Sequence, residues 1–173
     1  RPCPLNIYGR TKVLAENYIV ENNSDALIIR TNFYGRGRPP RRSFSDWVLE
    51  NLKQGVSHGY FDNIHYTPLL IEVLNEMMFE LIDKNASGIF HIGGPERCSK
   101  YEFANMLASV FSISNKNIIK SKYRKENLTA PRPHDMSLSS KKVIEFLEKP
   151  ILGLRSQLER LLQQNELKYE KDI

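Results

Sequence analysis

Apolar and polar positions along this chain switch repeatedly between a helical period and short unbroken apolar runs. Tyr8 to Glu21 reads as a helix, with Leu14 and Tyr18 one turn apart on an apolar side. Ala26-Leu27-Ile28-Ile29, following the polar Asn22-Asn23-Ser24-Asp25, predicts a strand buried on both faces. Ser43, with Asp46 three residues on, predicts an N-capped helix whose apolar positions are Phe44, Trp47, Val48 and Leu52 and whose stop is Gly55. Thr67-Pro68 predicts a further helix start, with threonine as the cap and an apolar face of Leu70, Leu74, Met77 and Leu81, closed by Asn85 to Gly88. Gly88 to Gly94 reads as a short glycine-bounded strand. Ser99-Lys100-Tyr101-Glu102 is a capping-box pattern ahead of Phe103, Met106, Leu107 and Val110. A strand is expected within Ile118 to Lys125, helices over Ser139 to Leu147 and Ser156 to Leu167, and a frayed tail from Lys168 to Ile173.

Strands alternating with helices argue for an α/β fold on a mostly parallel sheet. Composition leaves that picture intact: with 173 residues, 40% hydrophobic and 26% charged, the chain has the make-up of one globular unit. No apolar run reaches the ~18–20 residues of a membrane span, and nothing resembles a secretory signal. Cys3 and Cys98 are too few for a disulfide framework and have no metal-ligand spacing, so idle thiols in a cytoplasmic protein, and no metal, are expected. The opening Arg1-Pro2-Cys3-Pro4 reads as a loop entered from upstream sequence.

Charge adds a clue. The net charge of +5 is clustered at Arg36, Arg38, Arg41 and Arg42 and again at Lys116, Lys120, Lys122, Arg124 and Lys125. Such clusters attract phosphates, whether of a nucleic acid or of a small nucleotide, or simply form a solvated face. No zinc spacing or RNA-binding aromatic signature supports nucleic acid, and no nucleic-acid or membrane partner is expected. The arginines from 36 to 42 fit a loop closing over a phosphate as well as a mobile basic loop.

Candidate chemistry begins at Tyr8-Gly9-Arg10-Thr11-Lys12, which sets a tyrosine and a lysine at i and i+4 on one helix face. A phenol near its reference pKa of about 10 is a poor acid at neutral pH, and a neighbouring ammonium favours its ionised form. Standing alone, the pattern fits an ordinary surface pair equally well. His65 and His91 are further acid/base candidates, although His91, between Phe90 and Ile92, fits a satisfied structural histidine better. Trp47 sits at core spacing, with stacking on a base or sugar ring as its other reading.

Context adds weight to the pair. Pro4-Leu5-Asn6-Ile7-Tyr8-Gly9-Arg10-Thr11-Lys12-Val13-Leu14-Ala15-Glu16 resembles the active-site helix of extended short-chain dehydrogenases/reductases, especially the dTDP-4-dehydrorhamnose reductase branch. Ile28 to Gly35, His65 to Pro68, Gly88 to Gly94, Ser99 to Ala104 and Ala130 to Leu138 resemble later segments of that family, in order. The resemblance covers about nine-tenths of the chain. It implies the C-terminal part of a Rossmann-like doubly wound parallel sheet, plus a small α/β substrate-binding region. It also implies Tyr8 as the acid/base, and Lys12 on the nicotinamide ribose of NADP or NAD. Thr31, Asn32 and Phe33 would line the wall near nicotinamide and sugar. Asn32, Arg132 and Asp135 would face the nucleotide sugar; for Arg132, a plain loop arginine between two prolines is the competing reading.

One family feature is absent from these residues. Dinucleotide binding in this fold needs a glycine-rich turn between the first strand and first helix. Gly35-Arg36-Gly37 and Gly93-Gly94 have the wrong spacing and order. The chain is therefore expected to be the C-terminal half of a reductase of a 4-keto nucleotide sugar, inactive alone and prone to dimerise or domain-swap through bare edges. A nucleotide-sugar epimerase or dehydratase, and a non-catalytic binding or regulatory module, are the alternative functions.

Overall fold

A computed structural model of the chain describes residues 2–38, 40–124 and 130–169, residues 165–169 as backbone only. Arg1, Lys125 and the end of the tail expected to fray lie outside the described residues. The order is α1 (Ile7–Asn22), β1 (Leu27–Thr31), β2 (Phe33–Tyr34), α2 (Phe44–Lys53), β3 (His58–Phe61), β4 (His65–Tyr66), β5 (Leu69–Leu70), α3 (Ile71–Asp83), β6 (Gly88–Ile92), β7 (Cys98–Ser99), α4 (Lys100–Val110), β8 (Ile118–Ser121), α5 (Lys141–Leu147) and α6 (Leu154–Tyr169). Three strand pairs are parallel, β1 with β6, β2 with β5 and β3 with β8, while β4 and β7 run antiparallel. The expected α/β class with parallel pairing is what forms.

Local chemistry explains most element ends. Ser43 and Ser99 both close reciprocal capping boxes, with Asp46 and Glu102 respectively, so two orphan amides are satisfied at each helix start. Gly55 follows α2 with φ of +67°, the left-handed conformation that glycine adopts without a Cβ penalty. The core then seals around α3, α4, α6 and the strands they cover: Leu69, Leu70, Leu81, Phe90, Ile92, Phe103, Leu107 and Leu158 are all buried. Trp47 packs against this core edge-on to His58, with ring centroids 4.5 Å apart, which favours the core reading of that residue.

Thr67-Pro68 does not start a helix. Leu69 and Leu70 are extended as β5, and α3 begins at Ile71 with no side-chain cap. Tertiary hydrogen bonds override the local signal: Leu69 N–H donates to the Asn32 carbonyl at 3.1 Å, and Leu70 N–H to Gln157 Oε1 at 2.7 Å. The Thr67 hydroxyl, free of capping duty, donates to Asn32 Oδ1 and accepts from Leu138 N–H.

The second correction concerns β1. Only Ile28 is buried there, and Leu27 and Ile29 remain partly exposed, so the strand is not covered on both faces by the described residues. Helix α1 beside it has no buried residue at all, and Leu14 and Tyr18 are 67% and 68% exposed. Its apolar side exists, as the pattern predicts, but nothing among the described residues covers it.

Candidate functional site

The site is built around the N-terminus of α1. Asn6 caps that helix by accepting from Gly9 N–H at 2.8 Å, and its Nδ2 donates to the Pro131 carbonyl at 2.9 Å. One side chain thus joins the helix that carries Tyr8 and Lys12 to the segment that carries Arg132 and Asp135. Sequence reasoning gave Asn6 no role. An asparagine just ahead of a helix signals a cap, but nothing local signals a bond across 125 positions.

Tyr8 and Lys12 share a face, as their spacing requires, with the Lys12 ammonium 5.5 Å from the Tyr8 ring centroid. Tyr8 is 71% exposed, so the pair stands on an open surface. Farther along α1, Glu16 accepts from Arg30 Nε at 2.9 Å, and Arg30 Nη1 lies 3.2 Å from His91 Nε2. Hydrogen bonding from Arg30 holds the Glu16 carboxyl below its ordinary range. Burial, then the Arg30 charge, lowers the His91 pKa. His91 is therefore a satisfied structural histidine that links α1, β1 and β6.

At the end of β1, Thr31 Oγ1 is buried without a described hydrogen-bond partner, and Phe33 is 60% exposed. Asn32 differs from both, because its amide is already engaged. Nδ2 donates to the Met136 carbonyl at 2.9 Å, and Oδ1 accepts from Thr67 N–H and Oγ1. Asn32 is thus a second tether for the segment around Arg132.

That segment is fastened elsewhere too. Arg132 N–H donates to Tyr123 Oη at 3.2 Å, and Tyr123 is clamped by reciprocal hydrogen bonds with Asn63. The exposed Arg132 side chain makes no described hydrogen bond or ion pair. Asp135 is otherwise occupied: it pairs with Arg97 at 2.9 Å and accepts from Ser137 N–H. Hydrogen bonds from Ser137, with help from Arg97, hold its carboxyl down at about 2. His65 is bonded through its backbone to His134 and Met136, which makes it part of the same scaffold.

The arginine loop lies apart from Tyr8. Its Gly37 N–H donates to Asp46 Oδ2 at 2.7 Å, Arg42 pairs with Glu50, and Arg36 donates to the Gln164 carbonyl. A cleft of about 270 Å³ there is walled by Phe33, Phe44 and Ile71, together with Arg41 and Arg42. Tyr8 and Lys12 line neither this cleft nor its neighbour at Pro40 and Glu50.

The glycine pairs do not form a dinucleotide cradle. A Cβ on Gly93 would collide with the Thr67 hydroxyl, and one on Gly94 with the Pro68 carbonyl oxygen. These glycines serve close approach between neighbouring backbones. Among the described residues neither glycine pair is free to form the turn that a dinucleotide pyrophosphate needs. Cys98 is buried, which pushes its thiol up to about 12, and Cys3 is exposed. No described group of acidic, histidine and cysteine side chains could hold a metal, and no described helix is long and apolar enough to cross a membrane.

Residues 1–167 match the family model described as the RmlD substrate binding domain. Among curated proteins, the chain is similar to a probable low-salt glycan biosynthesis reductase, Agl14, of Haloferax volcanii. The two are 29% identical over 112 residues, which is 63% of this chain and 37% of that protein. It is also similar to the methionine adenosyltransferase 2 subunit beta of Xenopus laevis, 26% identical over 162 residues, covering 90% of this chain and 47% of that one. Among solved structures, the dTDP-4-dehydrorhamnose reductase of Bacillus anthracis in complex with NADP superposes with a TM-score of 0.85 at 22% identity, over 95% of this chain and 57% of that one. The chain therefore spans less than half the length of these curated relatives.

Proposed function

The chain belongs to the RmlD substrate binding domain family, and from that membership we propose that it is the substrate-side part of an NAD(P)-dependent reductase of a 4-keto nucleotide sugar. The observation that carries this reading is the Asn6 side chain, which caps the Tyr8–Lys12 helix and holds the Arg132 segment through Pro131. An acid/base pair and a phosphate-seeking arginine are thereby anchored to each other. Similarity to the Haloferax volcanii reductase supports the reaction type.

In this reading Arg132 holds the diphosphate of the sugar nucleotide, a task suited to a planar and permanently charged fork. Tyr8 Oη gives its proton to the substrate keto oxygen. Lys12 favours the phenolate left behind and faces the nicotinamide ribose. Bound NADPH or NADH supplies the hydride. Thr31 and Phe33 line the wall beside it, Asn32 holds that wall to Met136, and Asp135 keeps Arg97 beside the substrate segment. The pyrophosphate of the cofactor needs a glycine-rich turn that these 173 residues do not contain, so turnover belongs to this chain joined with a dinucleotide-binding unit.

One observation favours a second reading. Similarity to the methionine adenosyltransferase subunit, over 90% of this chain, fits a module that binds a partner enzyme without turning over. A single experiment separates the two. With NADPH and dTDP-4-dehydrorhamnose, the 173-residue chain alone leaves NADPH unoxidised, and fusion to a dinucleotide-binding unit of the family restores oxidation. Tyr8→Phe in the fusion then lowers kcat by ~100-fold or more while nucleotide binding persists, the range for a lost general acid. An active fusion indifferent to Tyr8→Phe overturns the catalytic role of Tyr8, and an inactive one brings the module reading forward.

A further inference from the structure

Lys100 is a lysine in an unusual place. It opens α4, is half-buried, and holds its ammonium 3.4 Å from the Tyr66 ring centroid and 4.3 Å from that of Phe44. Arg30, Arg42, Arg97, Lys149 and Arg160 each face a carboxylate. Among the described residues, Lys100 has two aromatic faces and no anion. Hydrogen bonds tie it to Arg132: Lys100 N–H donates to the Ile64 carbonyl at 3.2 Å, the adjacent Asn63 clamps Tyr123, and Tyr123 Oη accepts from Arg132 N–H at 3.2 Å. Burial lowers the Lys100 pKa to about 8, Cys98 offsets part of that, and the Arg132 charge adds to it. Arg132 also has no described carboxylate, since the nearby Asp135 is committed to Arg97 and Ser137.

Two neighbouring cations with no carboxylate partner among the described residues, one of them partly desolvated, are unfavourable unless an anion completes the set. Two ring faces at about 0.5–2 kcal/mol each orient an ammonium without neutralising it. Phe44 also walls the cleft that Phe33 and Ile71 line, so one of the two rings that flank Lys100 borders that cleft. We propose that Lys100 is a second anion-binding residue that pairs with Arg132 across the diphosphate of a nucleoside diphosphate, with Tyr66 and Phe44 as the sleeve that aims its ammonium. The proposal rests on the nucleotide-sugar reading above and adds a residue that this reading does not use.

The test is calorimetric titration of the 173-residue chain with dTDP, thymidine and inorganic pyrophosphate. Lys100→Met, which keeps the stem between the rings, weakens dTDP and pyrophosphate by roughly tenfold or more, the range for one charged contact, and leaves thymidine unchanged. Lys100→Arg keeps most of the dTDP affinity. In the unaltered chain, dTDP slows reductive methylation of Lys100, a readout that needs no variant to fold. Should Lys100→Met bind dTDP normally while Arg132→Met binds it weakly, the proposal is overturned and the nucleotide reading stands. Absence of Lys100 protection by bound dTDP overturns it equally. If the unaltered chain binds neither dTDP nor pyrophosphate, this proposal and the diphosphate role of Arg132 fail together.

Discussion

Helices α1 and α4 carry apolar residues at similar spacing, yet the molecule treats them differently. Helix α4 buries Phe103, Ala104, Leu107 and Ala108, and Phe103 meets Tyr34, Phe44 and Tyr66 ring to ring. Helix α1 has no buried residue and is held by polar groups at its start and middle, Asn6 to Pro131 and Glu16 to Arg30. The lesson concerns the division of labour. The sealed part supplies stability and carries Lys100 at the start of α4. The proposed acid/base pair, Tyr8 and Lys12, rides on an element that depends on a few directional bonds, so its placement is more easily disturbed than the fold.

Phe103→Ala tests the sealed region and has the largest expected effect. Removing a fully buried ring from an aromatic cluster costs about 3–5 kcal/mol, read as a lower midpoint in urea unfolding. Arg30→Met is next: it strips Glu16 of its partner, costs about 1.5–3 kcal/mol, and raises hydrogen exchange in α1 more than in α4. Acid weakens the same junction. The folded pKa of His91 lies below its reference of 6.5, so stability falls as pH drops from there toward the folded value. Glu16, also lowered from its reference of 4.5, adds a further loss as pH falls below that value toward its own folded pKa. Protection of α1 amides, taken relative to the intrinsic exchange rate at each pH, should fall in that sequence from pH 7 to pH 3, and a flat protection profile contradicts it. Asn6→Ala ranks below these, at about 1 kcal/mol for a lost cap. Its signature is simultaneous loosening of the first turn of α1 and of residues 130–138.

Much of the sealed region was legible in the sequence because its signals are local. Capping serines, the glycine after α2 and the apolar runs of β1 and β6 each carry their own instruction. The two-residue strands β2, β4, β5 and β7 are too short to show a period, and His58 to Phe61 has no clean alternation. Thr67-Pro68 was misleading for a related reason: Asn32, 35 positions away, had a stronger claim on the threonine than the helix did. At the candidate site, i,i+4 spacing puts Tyr8 and Lys12 on one face, while the roles expected of them, as of Arg132 and Asp135, follow from the resemblance. Asn6 and Lys100 were invisible, since one acts through Pro131 and the other through rings brought in by α2 and β4. Periodicity identified the apolar side of α1 correctly, but a pattern states which side chains want cover and not what covers them.

Tyr18→Ser therefore marks the small end of the comparison. On a sealed helix, replacing tyrosine by serine would forfeit a large buried ring. Tyr18 is 68% exposed, and its backbone carbonyl, which accepts from Asn22 Nδ2, keeps that bond through the change. The helix propensities of the two residues are close. Stability of the 173-residue chain should consequently move by less than about 0.5 kcal/mol in either direction, measured by the same urea titration as for Phe103→Ala. A loss above 2 kcal/mol would show that the α1 face is packed in solution, and the contrast between the two helices would collapse. A small change locates the fragility of α1 in Asn6 and Arg30 rather than in its apolar side.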